Sequence, residues 1–239
     1  MNTVVVTGAS GDIGLAIIGR LTGDGFRVAA CCHNQPDRVT SAFTAQQQVV
    51  PYDLDLRDEA SIKSCATAIV KDSSTIAGLV NCAGIASGGL FAMTRMADMR
   101  DLFEVNLFGP LLFTQYIAKK MIRQKSGAIV NITSTAGVFA DPGTLAYGGS
   151  KAALDHASRV MATEFGPMGI RVNAVAPSVV ASGMADQMDD AARAKVAERT
   201  ALAGETTPAD IADTVSYLLS DRAAAISGQI IRVDRAMPF

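Results

Sequence analysis

The stretch Thr3–Gly14, with the sequence TVVVTGASGDIG, decides the fold of this chain. Its β-branched beginning predicts a strand over Thr3–Thr7, which runs directly into a cluster of glycines. Apolar side chains then recur at three- and four-residue spacing over Asp12–Thr22, which is the pattern of an amphipathic helix. The chain therefore opens with a strand, a tight glycine turn and a helix, the first part of a βαβ unit.

The same alternation of apolar runs and helical patterns continues along the chain. The further predicted strands are Arg27–Cys32, Gln48–Tyr52, Ile76–Asn81, Ala128–Thr133, Ile170–Ala174 and Gln229–Val233. The further predicted helices are Asp58–Val70, Thr94–Gln124 (one long helix or two joined), Tyr147–Phe165 and Pro208–Leu219. Because the strands are apolar on both faces, they favour a parallel sheet that helices cover on each side. Right-handed crossovers then predict a single-domain, doubly wound, Rossmann-type α/β fold of about seven strands, with ligand-binding residues just after the strands.

The composition excludes several classes of protein. The 239 residues carry 21 Lys and Arg against 23 Asp and Glu, so the net charge of −2 lacks the basic character of a nucleic-acid-binding domain. With 49% hydrophobic and 18% charged residues the chain is too apolar to be disordered, yet no segment reaches the roughly 18 apolar residues of a membrane span. The first residues lack the pattern of a signal peptide. We therefore expect an ordered cytoplasmic protein that forms one domain over residues 1–239.

The cysteines and histidines show no metal-ligand spacing. The four cysteines are Cys31, Cys32, Cys65 and Cys82, and no two of them form a C-x-x-C pair. Reduced thiols packed as small hydrophobic groups are the expected state. Since the chain has only two histidines, we predict no metal site.

The glycine-rich turn predicts a dinucleotide site. Backbone N–H groups at the beginning of a helix bind a pyrophosphate, and glycines let the phosphates approach closely. Glycine also makes tight turns for structural reasons alone, but the position after the first strand of an α/β chain favours the dinucleotide. The residues expected to contact the cofactor here are Gly8, Ser10, Gly11, Asp12, Ile13 and Gly14.

A tyrosine and a lysine four residues apart, Tyr147 and Lys151, predict an acid–base pair on one face of a helix. Tyrosine has an ordinary pKa of about 10, and a neighbouring ammonium with an oxidised nicotinamide is expected to lower that pKa. Tyr116 and Lys120 share the spacing, so the spacing alone decides nothing. Only Tyr147 has a serine, Ser134, thirteen residues earlier at the end of a predicted strand. A hydroxyl there can hydrogen-bond a substrate carbonyl and stabilise the developing alkoxide.

These motifs resemble those of the classical short-chain dehydrogenases/reductases over nearly the whole chain. Ser134, Tyr147 and Lys151 match the catalytic triad of that family. Asn106 matches the fourth residue of its tetrad, which holds a water in a proton relay. The turn matches the T-G-x-x-x-G-x-G element, except that Asp12 replaces the middle glycine. The resemblance implies hydride transfer to a ketone, in which the serine polarises the carbonyl, the tyrosine donates the proton and the lysine binds the nicotinamide ribose.

The end of the second predicted strand favours NADP(H). An acidic residue there would bind the adenosine ribose of NAD(H), but Cys32 stands at that position. His33 and Asn34 follow and, with Arg38, can accept a 2′-phosphate. NAD(H) stays open, because Gly11 stands where many NADP-dependent relatives carry a basic residue.

The resemblance assigns further residues to the cofactor and the substrate. They are Asp55 and Leu56 at the adenine, Asn81, Ala83 and Gly84 in an N-N-A-G-like segment, and Pro177 and Val180 in a loop at the carboxamide. For Asn81 the alternative interpretation is a residue that ties the central sheet together. The segment at about residues 178–204 is similar to a mobile substrate lid.

Within the family the chain most resembles 3-oxoacyl-[acyl-carrier-protein] reductases. This implies NADPH-dependent reduction of a 3-oxoacyl thioester in fatty-acid, polyketide or aryl-polyene-type synthesis, an acyl carrier protein as partner, and a homotetramer. Arg123 and Lys125 are the basic residues expected to meet the acidic carrier near the cleft. An acetoacetyl-CoA reductase or another small-ketone or alcohol dehydrogenase is the alternative. A non-catalytic nucleotide-binding regulator or scaffold is the alternative from a different class.

Overall fold

The computed structural model describes residues 2–33, 35–43, 48–181 and 199–238. Seven strands lie within these ranges: β1 Asn2–Thr7, β2 Arg27–Cys32, β3 Val49–Asp53, β4 Thr75–Asn81, β5 Gly127–Ile132, β6 Ile170–Pro177 and β7 Ile230–Val233. The α-helices within them are α1 Asp12–Gly23, α2 Pro36–Ala42, α3 Glu59–Asp72, α4 Met96–Phe103, α5 Gly109–Gln124, α6 Leu145–Phe165 and α7 Pro208–Leu219. Helix α2 is the one element of these that the sequence pattern did not predict.

The strands form one parallel sheet in the order β3-β2-β1-β4-β5-β6-β7. The predicted doubly wound, Rossmann-type sheet is thereby confirmed. The strand order reverses beside β1, because the chain leaves β1 towards β2 on one side and later returns to β4 on the other. Ligands bind in the crevice that such a reversal opens at the carboxyl ends of the strands.

Two hydrophobic layers cover the sheet, one on each face. Val4 and Val6 of β1 face a layer to which α1 and α7 contribute Ile17 and Val215. Val5, between them, faces the opposite layer of α3 and α5. Successive strand residues point to opposite faces of a sheet, so both faces of β1 are buried. This burial explains why the run Val4–Val6 is continuously apolar.

The segment Thr94–Gln124 departs from a simple helix. Helices α4 and α5 are joined by one widened, π-helical turn over Glu104–Phe108, which contains the buried Asn106. The sequence predicted one long helix or two joined helices, and the structure has two α-helices that continue into each other through the π turn. Such π turns are frequent at functional sites.

Two predictions concern residues that the structure describes only in part. The predicted lid at 178–204 falls largely on residues 182–198, which lie outside the described residues. The lid, and the extension of the single domain over 1–239, stay predictions. In the part of the chain that the structure describes, none of the helices combines the length and the apolar character that crossing a bilayer requires.

The turn after β7 holds two consecutive non-glycine residues in the left-handed region, Arg235 with φ 53° and Ala236 with φ 57°. A Cβ makes this conformation unfavourable. Compensating contacts surround Arg235. Its carbonyl accepts hydrogen bonds from the N–H groups of Ala201 and Leu202, both at 3.1 Å, and its guanidinium donates to the carbonyl of Ala203 at 2.8 Å.

The left-handed conformation predicts that Ala236→Gly stabilises the protein. Removing the Cβ relieves backbone strain of about 1–2 kcal/mol, and the greater freedom of glycine in the unfolded chain offsets part of this gain. The expected net increase in the free energy of unfolding is about 0.5–1 kcal/mol, to be measured by urea denaturation. The matched control is Ala225→Gly, an exposed turn alanine outside the positive-φ residues, which should lose stability. Equal losses in the two variants would contradict the argument.

Candidate active site

The carboxyl ends of the strands enclose a cavity of about 760 Å³. Its walls come from the turn after β1, the segments that follow β2 to β6, and the beginning of α6. Within the described ranges, no three His, Cys, Asp or Glu side chains come together as metal ligands.

The glycine turn forms a tight cradle at the beginning of α1. Gly8 has a φ of 66°, and a Cβ on it would lie 2.7 Å from the backbone of Ala83. A Cβ on Gly14 would lie only 2.2 Å from the carbonyl oxygen of Gly8. Since the first N–H groups of a helix have no acceptor within the helix, the beginning of α1 is suited to bind an anion. The cradle thus fits the pyrophosphate of a dinucleotide, and its members Gly8, Ser10, Gly11, Asp12, Ile13 and Gly14 all line the cavity.

The segment after β4 is fixed against this turn. The hydroxyl oxygen of Thr7 accepts hydrogen bonds from the N–H groups of Cys82 and Ala83, both at 3.1 Å. A Cβ on Gly84 would lie 3.2 Å from the ammonium of Lys151 and equally far from the amide oxygen of Asn106. Ala83 and Gly84, two predicted cofactor residues, therefore form the wall between the glycine turn and Lys151.

Asn81 does not join the other predicted cofactor residues. Its amide nitrogen donates to the hydroxyl oxygen of Thr114 at 2.9 Å and to the amide oxygen of Asn131 at 2.8 Å. The side chain is buried and links β4 to α5 and β5. These contacts correspond to the alternative interpretation, in which Asn81 ties the central sheet together.

The end of β2 forms the wall expected to receive the adenosine. Cys32, His33 and Arg38 line the cavity here, whereas Asn34 lies outside the described residues. The imidazole of His33 lies 3.8 Å from a carboxylate oxygen of Asp53 and 3.7 Å from one of Asp55. The sequence shows no acidic residue at the end of β2, but the fold brings two carboxylates to that place from the end of β3. Asp55 and Leu56 also line the cavity, as expected.

Ser134, Tyr147 and Lys151 meet at the inner end of the cavity. Ser134 follows β5 directly, and its hydroxyl accepts a hydrogen bond from the N–H of Ala136 at 3.1 Å. Lys151 is buried, and its ammonium donates to the carbonyl of Ile132 at 3.0 Å while lying 5.8 Å from the ring centre of Tyr147. The three residue types predicted from the sequence therefore share one wall.

In the protein without cofactor, the pKa of Tyr147 is raised rather than lowered. Burial raises this pKa above its ordinary value, and a hydrogen bond with Ser134 offsets part of the rise. Loss of solvation of the phenolate dominates in the protein without cofactor, and the lowering expected from Lys151 together with an oxidised nicotinamide stays a prediction. A tyrosine with a raised pKa stays protonated at neutral pH and can serve as a proton donor.

The pKa of Lys151 is lowered to about 8. Burial disfavours the ammonium, and Cys82 and Asp155 act in the opposite direction by raising the pKa. Asp155 is buried and lies one helical turn further along the face of α6 that carries Tyr147 and Lys151. The lysine is thus charged at neutral pH but close to the point at which it loses its proton.

Asn106 clamps the segment after β4 to α6. Its amide oxygen accepts a hydrogen bond from the N–H of Ile85 at 2.9 Å, and its amide nitrogen donates to the carbonyl of Ile85 at 2.9 Å and to the hydroxyl of Ser150 at 3.1 Å. The π turn Glu104–Phe108 carries the side chain that makes these contacts. The water-holding role implied by the resemblance stays a prediction.

The far wall of the cavity contains residues that the sequence did not predict. These residues are Phe139, Asp141 and Met237. They line the cavity together with Pro177 and Val180, which the sequence predicted as cofactor-binding residues. These three additional residues come from a loop and from the chain end, where no motif marks them. The ring of Phe139 packs against the guanidinium groups of Arg199 and Arg232, at 5.1 and 5.2 Å.

The basic residues Arg123 and Lys125 lie away from the cavity, which corrects their expected place near the cleft. They stand at the end of α5, just before the amino end of β5, whereas Ser134 follows the carboxyl end of that strand. Six strand residues extend about 20 Å. Within one chain the two residues therefore lie at the opposite edge of the sheet.

The second tyrosine–lysine pair has different surroundings. Tyr116 packs against the layer between the sheet and α3 and α5, and Lys119 lies over its ring at 5.0 Å. Neither Tyr116 nor Lys120 lines the cavity. The tertiary structure thus separates two pairs that have the same spacing in the sequence.

Known proteins resemble this chain over almost its full length. A family model described as "Enoyl-(Acyl carrier protein) reductase" matches residues 8–237. The 3-oxoacyl-[acyl-carrier-protein] reductase FabG of Thermotoga maritima is 32% identical over 233 residues, which are 96% of this chain and 95% of that protein.

Solved structures share the fold and carry varied ligands. ElxO with NADP bound has a TM-score of 0.92 at 26% identity, covering 99% of this chain and 98% of that one. A 7α-hydroxysteroid dehydrogenase complexed with NADH and 7-oxo glycochenodeoxycholic acid has a TM-score of 0.93 at 28% identity, covering 99% and 94%. Of these two neighbours, one binds NADP and the other binds NADH together with a steroid.

Proposed function

We propose that this chain, which belongs to the short-chain dehydrogenase/reductase family, uses NADPH to reduce a 3-oxoacyl thioester, carried by acyl carrier protein, to the 3-hydroxyacyl product. One observation carries the proposal: Ser134, Tyr147 and Lys151 share the inner wall of a cavity whose other end is a glycine cradle. The similarity to a 3-oxoacyl-[acyl-carrier-protein] reductase at 32% identity supports the choice of substrate.

The cavity fits a nicotinamide dinucleotide along its length. The turn Gly8–Gly14 would hold the pyrophosphate, His33 and Arg38 the adenosine end, Lys151 the nicotinamide ribose, and Pro177 and Val180 the carboxamide. When bound, the nicotinamide supplies the hydride that adds to the substrate carbonyl carbon. Cys32 at the end of β2 favours NADPH, since it places no carboxylate of its own against a 2′-phosphate.

The protein's own residues supply the proton and hold the substrate carbonyl. The Tyr147 hydroxyl donates its proton to the carbonyl oxygen, and the raised pKa keeps that proton in place at neutral pH. The Ser134 hydroxyl, which hydrogen-bonds with Tyr147, orients the same oxygen. The Lys151 ammonium then stabilises the phenolate until it takes up a proton from solvent.

A homotetramer forms part of the proposal. Phe108 at the start of α5 and Val160 on α6 are large hydrophobic residues exposed on the single chain. An assembly would remove such side chains from water.

The proposed function is tested by a turnover panel with both cofactors. We expect NADPH oxidation with 3-oxoacyl thioesters of acyl carrier protein, a lower kcat/KM with the matching CoA thioesters, and little turnover of simple ketones or steroid ketones. NADPH should be preferred to NADH. A preference for CoA thioesters or small ketones would move the substrate to the alternative dehydrogenases. Cofactor binding without turnover of any carbonyl would favour a non-catalytic regulator.

Tyr147→Phe is expected to lower kcat at least about 100-fold, because the ring stays while the proton donor is lost. Tyr116→Phe is the matched control, since Tyr116 has a lysine at the same spacing but lies outside the cavity. The control should keep kcat within about twofold, within the usual effect of a change remote from the site. Comparable activity of both variants with the parent would contradict the assigned proton donor.

The pKa of Lys151 predicts a pH limit. Because this pKa is lowered to about 8, the ammonium is present at neutral pH and is lost as the pH rises through about 8. The kcat/KM for reduction, which reports the free protein, should therefore fall above pH 8. Asp155→Asn removes a group that raises this pKa, so the fall should begin at lower pH. A flat profile up to pH 10 would refute the assignment.

A further inference from the structure

We propose that Arg38 enables dinucleotide binding by neutralising Asp12, the acidic residue that this chain carries inside its glycine cradle. The inference rests on the proposed function, because it concerns the binding of the same cofactor. It names a further binding determinant that acts on NADH and NADPH alike and that lies outside the 2′-phosphate contact expected from the sequence.

The two residues come from different elements and meet at the cavity wall. Asp12 is the first residue of α1, and Arg38 lies on α2, which follows β2. A carboxylate oxygen of Asp12 lies 2.9 Å from a terminal guanidinium nitrogen of Arg38. Both residues line the cavity beside Gly11 and Gly14. The fold therefore places this ion pair at the end of the cavity where the cradle receives phosphates.

The carboxylate of Asp12 competes for the same positive field as a pyrophosphate. The beginning of a helix favours negative charge, and Asp12 already supplies one in the first turn of α1. A dinucleotide brings further negative charges to the same place, and like charges at such distances repel. The guanidinium of Arg38 removes this repulsion, and it acts through Asp12 rather than through any group that distinguishes NADPH from NADH.

The ion pair is not required for the fold. The side chains of Arg38 and Asp12 keep 45% and 35% of their surface exposed, and exposed pairs contribute little to stability. Thermal unfolding should therefore barely change when the pair is broken. Binding of the dinucleotide should change clearly, which separates this role from a structural one.

The test is a double-mutant cycle with Arg38→Gln, Asp12→Asn and the double variant. The dissociation constants of NADH and NADPH are measured by calorimetric titration at low salt, without substrate. We expect Arg38→Gln to weaken NADH binding about tenfold, because it removes the positive charge that offsets the carboxylate of Asp12. In the Asp12→Asn background the same change should alter NADH binding by less than about twofold, since no charge remains to neutralise. Arg38→Lys, which keeps the charge, should retain most of the binding.

The control is Arg20→Gln, which breaks the pairs with Asp24 at 3.2 Å and with Asp213 at 2.6 Å near the other end of α1 and should leave both dissociation constants unchanged. Two results overturn the inference. One is a loss confined to NADPH in Arg38→Gln, which would make Arg38 a reader of the 2′-phosphate. The other is an equal loss of NADH binding with and without Asp12. Failure of the unmutated protein to bind either dinucleotide would instead overturn the proposed function, and this inference with it.

Discussion

The close approach of the turn after β1 to the segment after β4 is the constraint on which the site depends. Gly8 can lie against the backbone of Ala83 only because it has no side chain, and the Thr7 hydroxyl binds two N–H groups of the same segment. This contact joins the segments that follow β1 and β4, the two strands between which the strand order reverses. It places the beginning of α1 and the wall formed by Gly84 around one cavity. A bulkier turn would separate the phosphate end of the cavity from Lys151.

Burial sets the chemistry at the inner end of that cavity. Loss of solvation raises the pKa of Tyr147 and lowers that of Lys151, so the two groups titrate further apart than in water, and Lys151 loses its proton first. Both shifts work against the charged forms, yet they leave a protonated tyrosine beside a charged lysine at neutral pH. The neighbours Cys82 and Asp155 keep the lysine charged by opposing the effect of burial. The surroundings of the pair thus keep both groups protonated at neutral pH, while burial makes Tyr147 a weaker acid than a free tyrosine.

Two locally unfavourable positions in the chain are each accompanied by a compensating contact. Asp12 stands at a glycine position and is paired with Arg38 from a different helix. Arg235 and Ala236 adopt a conformation that glycine tolerates better, and hydrogen bonds to residues 201–203 hold Arg235 there. In both places a local cost is balanced by a partner that is distant in the sequence. Asp12 and Arg235 are therefore understood only together with the residues that contact them.

The sequence by itself determined the class of the fold, because strand and helix periodicities and the glycine turn are local signals. It also identified Ser134, Tyr147 and Lys151, whose residue types and spacing are visible without coordinates. Only the tertiary structure assigned Asn81 to the sheet, moved Arg123 and Lys125 to the opposite edge, and brought Asp53 and Asp55 to His33. These outcomes rest on contacts between residues far apart in the chain and on burial, which changes the pKa of a side chain without changing its identity. Local sequence patterns carry no information on long-range contacts or on burial. The packing of the whole sheet therefore decided which charged groups lie around the cofactor cradle.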